Sequence, residues 1–163
     1  MADYGFPWDR LIAAFKFESR ADLAGPLAQR LHDALPPAQA DAPQIVVPVP
    51  LSPSRLAERG YNQAWELARR MAALRGLPAS SNVLLRPWDT AHQADLGRSA
   101  RQANLRNAFM VDPRQRGAVQ GLRVALVDDV MTTGATVREA AAVLLRAGSL
   151  AVDVWVIART PGD

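Results

Sequence analysis

The chain has 163 residues, of which 49% are apolar and 21% charged, a length that fits one domain with a core of its own. No apolar run approaches the roughly 18 residues that cross a membrane, and the opening Met1-Ala-Asp-Tyr-Gly-Phe-Pro-Trp-Asp9 lacks the basic and apolar regions of a signal peptide, so cytoplasm is the expected compartment. The absence of cysteine excludes disulfides, thiolate metal sites and a cysteine nucleophile from these residues, and 18 of the 19 basic residues are arginine, so Lys16 alone is left for lysine chemistry.

Phe6, Trp8, Leu11, Ile12 and Phe15 recur at helical spacing and predict a helix over 6–17. Leu23, Leu27, Leu31 and Leu35 follow at i, i+4 and predict a second helix within 21–35. Pro26 is tolerated only in a first turn, which moves the expected start from Asp22 toward Pro26. Pro36-Pro-Ala-Gln-Ala-Asp-Ala-Pro43 reads as a linker. Residues 1–43 are therefore expected to form a helical segment with its linker, and 44–163 an α/β core, in a single compact unit.

Gln44–Val49 predicts a buried strand, with Pro48 at its end or at a bulge. Leu51–Gly60 reads as a loop or irregular helix. Asn62–Leu74 predicts a helix with Asn62 as N-cap, Glu66 and Arg70 as an i, i+4 pair, and Gly76 as its close. Asn82–Arg86 predicts a short strand. Leu122–Val127 predicts another, Thr136–Ala147 a helix ended by Gly148, and Leu150–Ala158 a last strand. Short apolar strands alternating with helices indicate a mainly parallel sheet covered on both faces.

Charge is uneven. Residues 86–123 hold seven arginines (Arg86, Arg98, Arg101, Arg106, Arg114, Arg116, Arg123) against three aspartates (Asp89, Asp95, Asp112), which makes this segment +4 and leaves −1 of the formal +3 for the remainder. Such a segment attracts polyanions, or is a solvated arginine-rich loop. His92 within it has the side chain that titrates near neutrality, but no spacing assigns it a partner.

The stretch from Leu122 to Thr136 carries the most chemistry. An apolar run ends on Asp128-Asp129, and Val130-Met-Thr-Thr-Gly134 leads into a helix. Adjacent acids at the carboxyl edge of a sheet suit sugar hydroxyls, a metal ion, or both; alternatively, one caps the helix and the other is solvated. The hydroxyl-rich turn at a helix N-terminus offers unpaired backbone donors to a phosphate. Gly134 is not followed by the Lys-Ser or Lys-Thr of a Walker loop, no Gly-x-Gly-x-x-Gly is present, and no lysine follows residue 16 as a receiver domain would need. A phosphate site beside a polyol site describes a phosphorylated sugar.

Val124-Ala-Leu-Val-Asp-Asp-Val-Met-Thr-Thr-Gly-Ala-Thr136 resembles, over its full thirteen residues, the motif of type I phosphoribosyltransferases, which bind phosphoribosyl pyrophosphate (PRPP). Val47-Pro-Val-Pro-Leu-Ser-Pro-Ser-Arg-Leu-Ala-Glu-Arg-Gly-Tyr-Asn-Gln63, Arg98-Ser-Ala-Arg-Gln-Ala-Asn-Leu-Arg-Asn-Ala-Phe109 and Trp8-Asp-Arg-Leu-Ile-Ala-Ala-Phe-Lys-Phe17 are similar to the ComF/GntX group of that family. The resemblance implies a type I phosphoribosyltransferase-like core, a mainly parallel sheet flanked by helices, with a small N-terminal helical hood.

It also implies roles. Asp128 and Asp129 would hold the ribose hydroxyls, and Met131, Thr132, Thr133, Gly134, Ala135 and Thr136 the 5-phosphate. The loop after the first core strand would bind pyrophosphate through Leu51, Ser52, Arg55 and Arg59, arginine being suited to paired phosphate oxygens. A mobile loop within about 88–107 would bring Arg101, and next to it Arg98, onto the pyrophosphate, so that Asp128, Asp129 and Arg101 form the expected catalytic set. Mg²⁺ would arrive with PRPP rather than on dedicated protein ligands. Many ComF-type proteins begin with a cysteine-rich zinc-binding segment that has no counterpart in these residues, so zinc is not expected on them.

The implied function is transfer of the phosphoribosyl group to an unidentified nitrogen base with release of pyrophosphate, linked to competence and DNA uptake. The alternative is a catalytically inactive accessory protein of the same fold that binds single-stranded DNA or a DNA-uptake protein. Strand binding calls for aromatics among the arginines, and residues 86–123 offer only Trp88 and Phe109. No membrane partner is expected, and a homodimer is compatible with the family. An acid at a strand end lies outside the core, so Asp129→Asn is expected to spare the fold.

Overall fold

The computed structural model describes residues 7–18, 20–88 and 108–160, and the backbone of Ala2–Asp3. In chain order, β1 is Ala2–Asp3, α1 Trp8–Phe17, α2 Ala24–Ala34, β2 Ile45–Pro48, α3 Pro53–Arg59 and α4 Gln63–Arg75. Then come β3 Leu84–Leu85, β4 Met110–Val111, β5 Arg123–Met131, α5 Ala135–Arg146 and β6 Ala151–Arg159. Four strands form a parallel sheet in the order β1-β6-β5-β2. β3 and β4 pair antiparallel in a separate two-stranded sheet.

Period-2 alternation sends successive side chains of β2 and β5 to opposite faces, and both faces are buried. Val46, Ala125 and Val127 face Ile12 and Phe15 of α1, Leu27 and Leu31 of α2, and Leu67 and Met71 of α4. Val47, Val124 and Leu126 face Val137, Ala140, Val143 and Leu144 of α5. Val124 to Val127 are each 0% exposed. The leucine stripe of α2 is thus core, as its spacing predicts, and the linker after it forms neither helix nor strand.

Local signals set the helix ends. The Asn62 side chain accepts from the backbone N–H of Ala64 at 2.9 Å and of Trp65 at 3.4 Å, capping α4 as expected. Glu66 binds Arg70 at 2.5 Å one turn on. Gly76 ends α4 at φ +66°, a left-handed position that glycine takes without a Cβ penalty.

Several expectations change. Residues 51–60 contain a regular helix: Ser52 precedes it, Pro53 fills the first turn, where its missing N–H costs nothing, and Gly60 stops it. α2 begins at Ala24 after a 3₁₀ turn over Ala21–Leu23, which puts Pro26 in the first α-turn rather than at the start. The strand expected at 82–86 shrinks to two residues and leaves the parallel sheet for β4. β1, too short for any periodicity, lies on the edge beside β6. β5 does not stop at Val127: it runs through both acids to Met131, held by β6 in continuous register.

Candidate functional site

Pro48, the last residue of β2, lies opposite Val127, and the Val49 N–H donates to the Val127 carbonyl. Beyond that level β5 has β6 on one side and the departing chain of α3 on the other. Asp128 and Asp129 stand there, in the crevice past the carboxyl end of a parallel strand, where open α/β sheets bind ligands.

Neither acid caps α5. Asp128 is half-buried, and its Oδ1 accepts the Asp129 N–H at 2.9 Å. Asp129 is 6% exposed, and its Oδ1 accepts the Val130 N–H at 2.7 Å. The same Oδ1 meets the Lys16 ammonium of α1 at 3.0 Å. The expectation of an acid outside the core is therefore corrected: alternation from Ala125 and Val127 carries Asp129 under α1, where burial requires a partner charge. Among the described residues, each carboxylate makes its hydrogen bonds through Oδ1, which leaves each Oδ2 without a protein donor.

Electrostatics divide the pair. The Asp128 carboxyl is pushed up to about 7, first by loss of solvation and then by the charge of Asp129. Lys16 and Arg59 oppose that shift without cancelling it. Near neutral pH the two acids and two cations leave a cluster of small net charge.

The hydroxyl turn follows at once. Met131 ends β5, Thr132 and Thr133 are exposed, and Gly134 precedes α5 at φ +71°. A Cβ on Gly134 would stand 3.4 Å from Met131 Sδ, in a conformation strained for any L side chain. Ala135 and Thr136 form the first turn of α5, whose early N–H groups point back at the crevice. The Arg138 guanidinium reaches back to the Thr133 carbonyl at 3.0 Å and lines, with the loop, a hollow of about 280 Å³.

On the other side of the crevice, Leu51 is half-buried and Ser52 3% exposed, with its Oγ 3.4 Å from Ser54 Oγ. Arg55 and Arg59 are one turn apart on α3. The Arg59 guanidinium sits 5.0 Å over the Phe17 ring, and among the described residues its buried Nε has no hydrogen-bond partner. Tyr61, just after α3, donates to the Phe15 carbonyl. The structure thus brings Asp128, Asp129 and Arg59 together. Arg98, Arg101 and His92 lie outside the described residues. In the basic segment, Phe109 is buried with Arg86 5.5 Å over its ring, while Trp88 is 61% exposed.

Sequence reasoning missed Lys16, Tyr61 and Arg138. Only Lys16 carried a signal, as the one lysine of the chain. Arg138 follows Gly134 by one helical turn, a spacing shared by any surface arginine on α5.

No family model matches the chain. It is 37% identical over 164 residues to DNA utilization protein YhgH of Salmonella typhi, covering 98% of this chain and 70% of that one. It is 36% identical over 157 residues to Competence protein F of Haemophilus influenzae, covering 94% and 68%. To Competence protein ComFC of Bacillus subtilis it is 29% identical over 140 residues, 86% of this chain and 54% of the other. Among solved structures it is similar to the glutamine PRPP amidotransferase of B. subtilis, with a TM-score of 0.58 at 20% identity, over 89% of this chain and 30% of that one. A second similar structure, an allosteric regulatory enzyme of purine biosynthesis, gives a TM-score of 0.56 over the same shares. Near-complete coverage at more than a third identity, on a sheet of this architecture, leads to one conclusion: the chain belongs to the ComF family of competence and DNA utilization proteins, built on the type I phosphoribosyltransferase fold.

Proposed function

We propose that this protein binds Mg²⁺–PRPP and transfers its phosphoribosyl group to a nitrogen base, in the service of DNA use. The observation that carries this reading is the acid pair, each Oδ2 without a protein donor among the described residues, beside the hydroxyl-rich turn at the start of α5. Two adjacent acceptors suit the 2- and 3-hydroxyls of a ribose. The turn that follows offers backbone N–H groups and threonine hydroxyls, which suit the 5-phosphate. Arg59, whose charge acts on Asp128, and Arg55, one turn before it on α3, would face the leaving group.

In the reaction, a base nitrogen forms a bond to the anomeric carbon as the bond from that carbon to the pyrophosphate oxygen breaks. The electron pair leaves with pyrophosphate, and the base gives up a proton. Positive charge develops on the ribosyl ring. The residues contribute orientation of the ring, through Asp128 and Asp129, and donors for the departing phosphates, through α3. Mg²⁺, when bound, would neutralise pyrophosphate oxygens. The donor set fits an ion that arrives with its ligand: among the described residues no three His, Asp or Glu side chains converge, and the acid pair already faces Lys16.

Thermal unfolding with Mg²⁺–PRPP tests the binding step. Ligand at 100 times Kd adds about 2.7 kcal/mol, roughly 5–10 °C for a chain of this size. No shift at millimolar ligand rejects the reading. Pyrophosphate release across a panel of nucleobases then tests transfer.

The names of the relatives favour a second reading, an accessory protein that keeps the fold and meets single-stranded DNA or a DNA-uptake protein. A gel shift with single-stranded DNA that weakens with salt, and is lost when Arg98, Arg101 and Arg106 become alanine, supports it. Saturating pyrophosphate release with one base, and no shift, supports the enzyme.

A further inference from the structure

Three consecutive residues at the end of α1 are each held by a different group. The Phe15 carbonyl accepts from the Tyr61 hydroxyl, the Lys16 ammonium meets Asp129 Oδ1 at 3.0 Å, and the Phe17 ring lies 5.0 Å under Arg59. Phe15 itself is 0% exposed, so the backbone on the N-terminal side of Lys16 is anchored in the core. A lysine on a free helix end loses much side-chain entropy when it pairs. Here the flanking residues are fixed independently, and the Lys16 side chain is only 22% exposed. Its contact falls on the Asp129 oxygen that also accepts the Val130 N–H, and among the described residues Oδ2 is left without a protein donor.

We propose that Lys16 is the positioning residue of the acid pair: its ammonium fixes the Asp129 carboxylate so that Oδ2 accepts a sugar hydroxyl, and ties α1 to that site. The inference rests on the PRPP reading for the identity of the sugar. A carboxylate already neutralised by lysine remains a good acceptor for neutral hydroxyls, while it gains less from a free cation. Without the ammonium, the 9% exposed Asp129 side chain would keep its charge uncompensated, take up a proton or turn away. An uncompensated buried charge favours protonation or rotation, and either one withdraws the acceptor.

Calorimetric titration with ribose 5-phosphate and with inorganic phosphate tests it on wild type, Lys16→Met and Lys16→Arg, each checked for fold by circular dichroism. Lys16→Met should weaken ribose 5-phosphate by about tenfold or more, the scale of one charge-assisted hydrogen bond, and leave inorganic phosphate within about twofold. Lys16→Arg should recover most of the loss. Unchanged ribose 5-phosphate affinity in Lys16→Met overturns the proposal. So does an equal loss for both ligands, which makes Lys16 a plain cation. Because Lys16 is the only lysine, ¹³Cε-lysine labelling yields one side-chain NMR signal, which serves if Lys16→Met does not fold. That signal should move on saturation with ribose 5-phosphate and not with phosphate, and in Asp129→Asn without ligand. If wild type binds neither PRPP nor ribose 5-phosphate, the sugar reading fails, and the signal in Asp129→Asn decides the pairing alone: no movement overturns it.

Discussion

Asp128→Asn should make the protein more stable at pH 8 and leave it unchanged at pH 4. In the folded chain the carboxyl is raised to about 7, whereas the ordinary value is 3.8. Between these values the folded state holds a proton that the unfolded state has released, so wild-type stability is full below about pH 4 and falls as pH rises toward 7. Three units at 1.36 kcal/mol each set an upper bound of about 4 kcal/mol. Asp128 is only half-buried, so solvent screening lowers the expected gap to on the order of 2–3 kcal/mol. Asparagine keeps an Oδ1 for the Asp129 N–H, so the substitution removes the charge and little else. Urea unfolding followed by circular dichroism at pH 4, 6 and 8 measures the gap, which should open steadily across the series. A variant no more stable than wild type at pH 8, or a gap that is flat with pH, refutes the reasoning.

Other substitutions test the frame around the site. Asn62→Ala removes two accepted N–H bonds at the start of α4 and should cost about 1 kcal/mol in urea unfolding. Tyr61→Phe removes the bond to the Phe15 carbonyl and should cost about 1 kcal/mol, with Lys16 less well aimed and ribose 5-phosphate weaker by calorimetry. Gly134→Ala, at φ +71° with Met131 Sδ 3.4 Å from the new Cβ, should cost about 1–2 kcal/mol and lower inorganic phosphate affinity by calorimetry. Asp129→Asn leaves the Lys16 ammonium without its buried partner and should lower the melting temperature at pH 7, against the sequence-based expectation that the fold is spared.

Where residues act through neighbours in the chain, the sequence was readable. The leucine stripe of α2, the Asn62 cap and the Gly76 stop each rest on contacts within about four residues. The apolar run before Asp128-Asp129 marked a buried strand for the same reason. What escaped depends on distant pairing. Residues 128–131 look like the end of a strand because two acids interrupt the apolar run, yet β6 holds them extended. β1 has two residues and no periodicity to detect. α3 was obscured by Pro53 and Ser54, which are turn formers inside a chain and good residues at a first helical turn. Spacing and resemblance marked the acids and the hydroxyl turn. Neither marked Lys16 as their partner, since nothing local to residue 16 records that α1 crosses the carboxyl end of β5.

The sheet order carries a consequence for biosynthesis. Ala2 lies beside Ala158, and Ile45 beside Val124. On the ribosome, therefore, β2 waits with its apolar residues unpaired until β5 emerges, and β1 waits for β6. Pairings of such long sequence separation form late and slowly. α1 and α2 find their full sheet floor once Trp155 and Ile157 join Val46, Ala125 and Val127. Lys16 and Asp129 lie far apart in the chain, so their contact waits for β5, and the site is completed together with the sheet.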